Sequence, residues 1–198
     1  MRCLLRLLPA VAVLLFLSIS ALRAADEPAP KPKHIRVADC VYVPTPNDVT
    51  AKMLEMAAVK QSDLLYDLGC GDGRIVVTAA KKFGCKAVGY EIDPQRVAEA
   101  LENVKKRKVE HLAKIEQKDI FTLDLSAASV IAIYLLPAMN VKLLPQLEKL
   151  KPGARIVAHD YPVGGLVPEK TVSMQSNEDN VPHSIYFYTV PLKKEKKE

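Results

Sequence analysis

The sequence predicts an α/β fold: a mostly parallel sheet with helices on both faces and an antiparallel hairpin at its C-terminal edge. Three observations predict it. Apolar strand-length runs alternate with helical patterns between residues 64 and 160, the pattern of a parallel sheet with crossover helices. A glycine loop, "DLGCGDG", joins the first of those runs to the first crossover helix. The last two strand-like runs, "KTVSMQS" and "SIYFYTVP", have no helix between them, so they pair antiparallel at one edge.

The elements follow in order. Two prolines in "YVPTP" at 42–46 keep that segment out of a helix. Asn47 or Thr45 can then cap a helix over 48–60, with Val49, Met53, Met56 and Ala57 on one face. "DLLYDL" is a buried strand ending at Asp67, and 74–83 form a helix. "KAVGYEI" is the second strand, and Pro94 suits the first turn of the helix after it. "AKIEQKD" reads as a weaker third strand and "SVIAIYLL" as a strongly apolar fourth. A helix over 138–150 is stopped by Pro152-Gly153 before the fifth strand, "ARIVAHD". There is no internal repeat.

At 198 residues the chain suits one domain with a sizeable core. Half the residues are apolar and a quarter charged, the balance of a folded globular protein. The formal charge of +5 misleads about partners. Setting aside Arg2, Arg6, Arg23 and the terminal "KKEKKE" leaves 21 basic and 21 acidic residues, so the body is neutral. No basic stripe with interleaved aromatics tracks nucleic acid, and no nucleic-acid partner is expected.

The organisation reads as an export signal over 1–24, a Pro/Ala/Lys linker over 25–38, a folded domain over 39–192 and a charged tail over 193–198. Arg2 and Arg6 precede an uncharged run from Leu7 to Leu22, and Ala24 offers a small residue for cleavage. Sixteen residues span about 24 Å as a helix, short of the roughly 30 Å hydrocarbon core, which favours a cleaved signal over an anchor. An extracytoplasmic or N-terminally anchored location is therefore expected. Beyond that segment stand Cys40, Cys70 and Cys85, an odd count without C-x-x-C, which suits neither a disulfide framework nor zinc. His34, His111 and His183 show no ligand spacing, so no metal is expected.

The glycine loop carries the functional signal. In an open parallel sheet, ligands sit outside the carboxyl ends of the strands, where the strand order reverses. Dinucleotide folds use G-x-G-x-x-G there, with the helix N-terminus on a pyrophosphate. Here Gly69, Gly71 and Gly73 alternate, and Arg74 stands where that pattern wants glycine. The preceding acid, Asp67, repels a pyrophosphate but suits a ligand with an ammonium group. S-adenosylmethionine has an ammonium, a sulfonium and no phosphate. Glu91, ending the second strand, has two oxygens to offer two ribose hydroxyls.

D-x-G-x-G-x-G with the terminal hairpin resembles the Rossmann-like class I methyltransferases, and the likeness narrows further. "YVPTPNDVTAKMLEMA", "DLLYDLGCGDGRIVVTAAKKFGCKAVGYEIDP" and "VIAIYLLPAMN" resemble the protein-lysine methyltransferases of the ATP synthase c subunit and adenine nucleotide translocase, with their bacterial relatives. The likeness runs from about Tyr42 to Tyr188. It implies S-adenosyl-L-methionine as cofactor and a protein lysine, on a soluble or membrane-associated substrate, as acceptor. It implies cofactor contacts from Tyr42, Thr45, Asp67, Gly69, Gly71, Asp72 and Gly73, from Glu91 and Ile92, and from Tyr134. Asp119, for the adenine amino group, and Ile120 complete the set.

Methyl transfer from a sulfonium needs alignment and an uncharged nucleophile more than it needs covalent help. Nucleobase and amide methyltransferases show an Asn-Pro-Pro-Tyr-like motif after the fourth strand. Tyr134-Leu135-Leu136-Pro137 keeps its proline and lacks its asparagine, which weakens such acceptors. Tyr134 can orient an amine, and His159 or Asp160, placed on the same rim, can take its proton. Two alternatives stay open: transfer to a small molecule or RNA, and an exported cofactor-binding module without catalysis.

Overall fold

A computed structural model describes residues 40–195 of the protein. The expected export signal (1–24), the linker (25–38) and the last three tail residues lie outside the described residues. Among the described residues no helix is long and apolar enough to cross a membrane.

The strands are β1 (Leu64–Leu68), β2 (Lys86–Glu91), β3 (Ala113–Gln117), β4 (Val130–Ile133), β5 (Arg155–His159), β6 (Lys170–Gln175) and β7 (Pro182–Thr189). They form one sheet in the order β3-β2-β1-β4-β5-β7-β6. The first five are parallel, β7 runs antiparallel to β5, and β6 antiparallel to β7, as the sequence predicts. The chain moves outward from β1 to β3 and then returns to β4 on the other side of β1. That reversal opens a crevice at the carboxyl ends of β1 and β4.

The helices are α1 (Asn47–Met56), α2 (Arg74–Thr78), α3 (Pro94–Lys106) and α4 (Pro137–Leu147). Alternate strand residues feed two cores. Leu65, Val130 and Val157 pack with Met53 and Leu54 of α1, Val76 of α2 and Val104 of α3. Leu68, Ile131, Ile133 and Ile156 pack with Leu143 and Leu147 of α4. Burial on both faces is why these strands read as continuous apolar runs.

Several boundaries differ from the sequence expectation, each for a local reason. α1 ends at Met56, well short of residue 60, because Ala58 turns to φ +45°. The guanidinium of Arg155 then donates to the carbonyls of Ala57 (2.7 Å) and Ala58 (2.8 Å) and closes that end. The other end has no side-chain cap of its own. Instead Glu178, from the β6–β7 turn, accepts from the Asn47 N–H at 2.9 Å. The helix expected over 74–83 changes to a π-helical turn over Ala79–Phe83. β3 stops at Gln117, so Asp119 lies beyond the strand and caps a short 3-10 turn over Ile120–Thr122.

Candidate active site

All three loop glycines have left-handed backbones, with φ of 78° at Gly69, 53° at Gly71 and 77° at Gly73. Each also makes room for a neighbour. A Cβ would lie 2.9 Å from Leu135 Cδ2 at Gly69, 2.1 Å from Tyr42 Cε2 at Gly71 and 3.0 Å from Ala100 Cβ at Gly73. The loop is thus moulded to the protein itself: to the β4–α4 corner, to the lead-in segment and to α3. Gly71 and Gly73 shape the crevice from behind, since neither borders it.

The lead-in is braced across the crevice mouth. Tyr42 lies over Gly71, with the Arg96 guanidinium 4.8 Å from its ring centroid. Arg74 forks onto Asp72 through Nε (3.0 Å) and Nη2 (2.8 Å), while Nη1 donates to the Thr45 carbonyl at 2.8 Å. The arginine that breaks the dinucleotide pattern therefore ties residues 42–45 to the glycine loop. Burial opposes ionisation of Asp72, but the bonds from Arg74 win and hold its carboxyl below the ordinary range.

Between these parts lies a pocket of about 910 Å³, part of it open to solvent. Tyr42, Thr45, Asp67, Gly69 and Asp72 border it. Glu91, Ile92, Asp119, Ile120 and Tyr134 also line it. Asp67 is 2% exposed, and its Oδ2 has no hydrogen-bond partner. Burial first, then the charges of Glu91 and Asp72, push its carboxyl up to about 8. Such a group calls for a cation.

Glu91 is already bonded by backbone. Its Oε1 accepts from the Ile92 (2.7 Å) and Asp93 (3.0 Å) N–H groups, and its Oε2 from the Gly71 N–H at 2.9 Å. A carboxylate with about four lone-pair directions keeps capacity on Oε2 for one more donor. The expectation that both oxygens serve a ribose is narrowed by these bonds. Asp119 borders the pocket with Oδ1 accepting from the Phe121 N–H at 2.9 Å.

The three residues expected to act on the acceptor do not share a rim. Tyr134 borders the pocket. His159 is fully buried behind the wall, its ring centroid 4.0 Å from that of Tyr134. Its Nδ1 lies 3.1 Å from Thr45 Oγ1 and its Nε2 2.9 Å from His183 Nδ1, so both nitrogens are engaged within the protein. Burial depresses it to about 4 and keeps it neutral at physiological pH. The placement of His159 on the rim is corrected accordingly: as the last residue of β5 it points into the sheet–helix layer, beneath Thr45.

Asp160 sits one step beyond, at φ +55°, held by a mutual pair of backbone-directed bonds with Ser184. Its Oδ2 lies 3.5 Å from the Tyr134 hydroxyl and 3.0 Å from His183 Nδ1. Burial first, then the charge of Asp160, push the Tyr134 phenol up to about 12. His183, set aside on sequence spacing, thus joins His159 and Asp160, because β7 lies antiparallel beside β5. Only the strand register brings them together, and spacing along the chain does not show it. Asn140, also absent from the sequence reading, is fully buried and donates to the carbonyls of Tyr161 and Pro162, fixing the loop after Asp160.

Comparison with known proteins meets this geometry. The profile of the ANTKMT methyltransferase domain matches residues 67–170, from Asp67 at the crevice to Lys170 at the start of β6. The chain belongs to this family. A protein-lysine N-methyltransferase of Saccharolobus islandicus is 46% identical over 151 residues, 75% of this chain and 92% of that protein. The lysine N-methyltransferase of the ATP synthase c subunit from Homo sapiens is 33% identical over 65% of this chain and 54% of its own length. Among solved structures, an RNA methyltransferase from Salinibacter ruber in complex with S-adenosyl-L-homocysteine superposes with a TM-score of 0.70 at 43% identity. That match covers 79% of this chain and 97% of the other.

The protein is a methyltransferase that uses S-adenosylmethionine, and its residues fit that cofactor. The buried, unpartnered Oδ2 of Asp67 is matched by an ammonium, and the remaining capacity of Glu91 by a ribose hydroxyl. When bound, the cofactor supplies the methyl group and its own sulfonium leaving group. The chain's share is to hold Tyr42 and Thr45 against the loop, line the pocket with apolar Leu135 and Ile120, and present Tyr134 on its wall.

Proposed function

We propose that this methyltransferase acts on the side-chain nitrogen of a protein lysine. One observation carries the reading: Tyr134 stands on the pocket wall with the Asp160 carboxylate 3.5 Å behind its hydroxyl. An aromatic face backed by a carboxylate suits a long side chain ending in a cation, and repels a phosphate. The names of the Saccharolobus and human relatives support the same acceptor class. Tyr134 accepts a hydrogen bond from the incoming nitrogen and fixes its line of approach, and Asp160 stands behind it as a base that can receive the proton. The test is mass spectrometry of host proteins incubated with the enzyme and labelled cofactor. One-methyl mass increments on lysine are expected, and label confined to nucleobases, carboxylates or small metabolites would reject the acceptor.

A second reading has its own support. The Salinibacter structure bears the name of an RNA methyltransferase, and a polar hollow beside the site is bordered by Lys81, Lys82 and Arg107. Competition by bulk RNA in the same assay separates the two readings. We also propose that residues 1–24 direct export, on the support of the charged start, the short apolar run and Ala24.

A further inference from the structure

His183 is 7% exposed, and both of its ring nitrogens are committed. Nδ1 faces Asp160 Oδ2 at 3.0 Å, and Nε2 faces Asp179 Oδ2 at 3.0 Å. Asp160 continues inward to the Tyr134 hydroxyl on the pocket wall. Asp179 continues outward: it lies in the turn between β6 and β7, with its side chain 41% exposed. The pieces form an unbroken line from the pocket to solvent. The left-handed backbone of Asp160, kept in place by its two bonds with Ser184, is what aims Oδ2 along that line. His159 is no substitute, because it is wholly buried and reaches no solvent.

We propose that Tyr134, Asp160, His183 and Asp179 form a relay that carries the acceptor's proton out of the pocket, with His183 as its gate. It rests on the lysine reading, since an ammonium acceptor has a proton to shed before attack. The acceptor N–H bond breaks as Tyr134 Oη takes the proton and passes its own to Asp160 Oδ2. Asp160 hands the proton to Nδ1 of neutral His183. The resulting imidazolium releases its Nε2 proton to Asp179 and then to water, and tautomer exchange restores the acceptor at Nδ1. One proton leaves, and no group changes oxidation state. The 3.5 Å link at Tyr134 is of the kind that tightens when substrate binds.

The charged and titratable groups facing His183 are Asp160 and His159 from the end of β5, and Asp179 from the β6–β7 turn. Burial works against the imidazolium, but the bonds to the two carboxylates win and hold His183 above its ordinary value. A protonated His183 cannot accept from Asp160, so the relay opens as pH rises through that raised value.

The experiment compares the full-length wild-type protein with His183→Gln and Asp179→Asn on a host membrane fraction, with methyl-lysine read by mass spectrometry across a pH series. At mildly alkaline pH, above the raised value at which His183 turns neutral, His183→Gln is expected to slow transfer roughly 100-fold, the low end for a positioned proton-transfer group. Its dissociation constant for S-adenosylhomocysteine should stay unchanged. The deficit should close toward about pH 10, where lysine sheds its proton in bulk water. Asp179→Asn, on an exposed turn, should show a smaller deficit of the same pH shape even if the histidine variant folds poorly. Imidazole added to His183→Ala should restore part of the rate. Deficits equal at every pH would overturn the relay. So would a stoichiometric divalent metal in the wild type that His183→Gln loses and whose chelation stops activity, since ring nitrogens bound to metal move no protons. A wild type that labels no lysine at all would instead overturn the acceptor reading.

Discussion

The ring of Tyr42 occupies the space a side chain on Gly71 would need, with Cε2 only 2.1 Å from the position of a Cβ. The middle glycine of the loop and the first aromatic of the lead-in therefore specify each other. Gly71→Ala carries two costs, the steric conflict and a φ of +53°. It is expected to weaken S-adenosylhomocysteine binding by at least about 1.4 kcal/mol, tenfold, in calorimetry. Tyr42→Ala should weaken it too. The double variant should lose much less than the sum, because residues in contact couple. Strict additivity would show that Gly71 serves the ligand independently of Tyr42.

That pair also shows what the sequence made legible. Three alternating glycines after an acid, with acids near the ends of β2 and β3, marked the crevice and its cofactor class from local pattern alone. The close approach they announce was legible, but its object was not. Tyr42, Leu135 and Ala100 are 29, 66 and 27 positions from the glycines they meet, and only the folded sheet brings them there. His183 was hidden for the same reason. Its partners Asp160 and His159 lie across an antiparallel register that nothing in the spacing reveals. Helix ends slipped where distant groups set them, as Arg155 does at Ala57 and Glu178 at Asn47.

Far from the site, Arg155 bonds Asp63 Oδ1 and also closes α1, so it joins two elements to the start of β5. Arg155→Ala leaves a carboxylate with an 8% exposed side chain short of its cation. A loss of about 3 kcal/mol is expected, the low end for breaking a buried pair, read from urea unfolding with an unchanged slope. Burial opposes the charge on Asp63, but bonds from the Lys60 N–H, Ser129 and Arg155 prevail and keep its carboxyl below the usual range. The stability it adds is thus present above the unfolded carboxyl value and lost as pH falls through the folded one. The gap between wild type and variant should narrow in acid. A gap that widens there would contradict the pairing.

Export makes its own prediction. Cell fractionation with N-terminal sequencing should recover a chain beginning near Ala25 outside the cytoplasm. Full-length protein confined to the cytosol would refute it. It would also remove any need to deliver S-adenosylmethionine across a membrane.

Asp67 links cofactor binding to pH in a direction that can be worked out. Its carboxyl titrates near 8 without ligand, because burial and then the charges of Glu91 and Asp72 disfavour ionisation. At neutral pH it therefore holds a proton, and a ligand ammonium beside it favours losing that proton. Binding should release close to one proton near pH 6.5, visible as a dependence of calorimetric heat on buffer ionisation enthalpy. Affinity for S-adenosylhomocysteine should rise as pH approaches about 8, by up to tenfold per unit, and then level off. In Asp67→Asn the proton release should vanish and affinity should fall. Folding moves the opposite way. A carboxyl whose folded value exceeds the unfolded one adds stability below about pH 3.9, and that stability is lost as pH rises through the folded value. Ligand-free Asp67→Asn should accordingly be more heat-stable than wild type near pH 8 to 9, while binding the cofactor less well. Affinity that is flat with pH in the wild type, or a variant less stable in that range, would mean that Asp67 is already paired and that its charge is not reserved for the ligand.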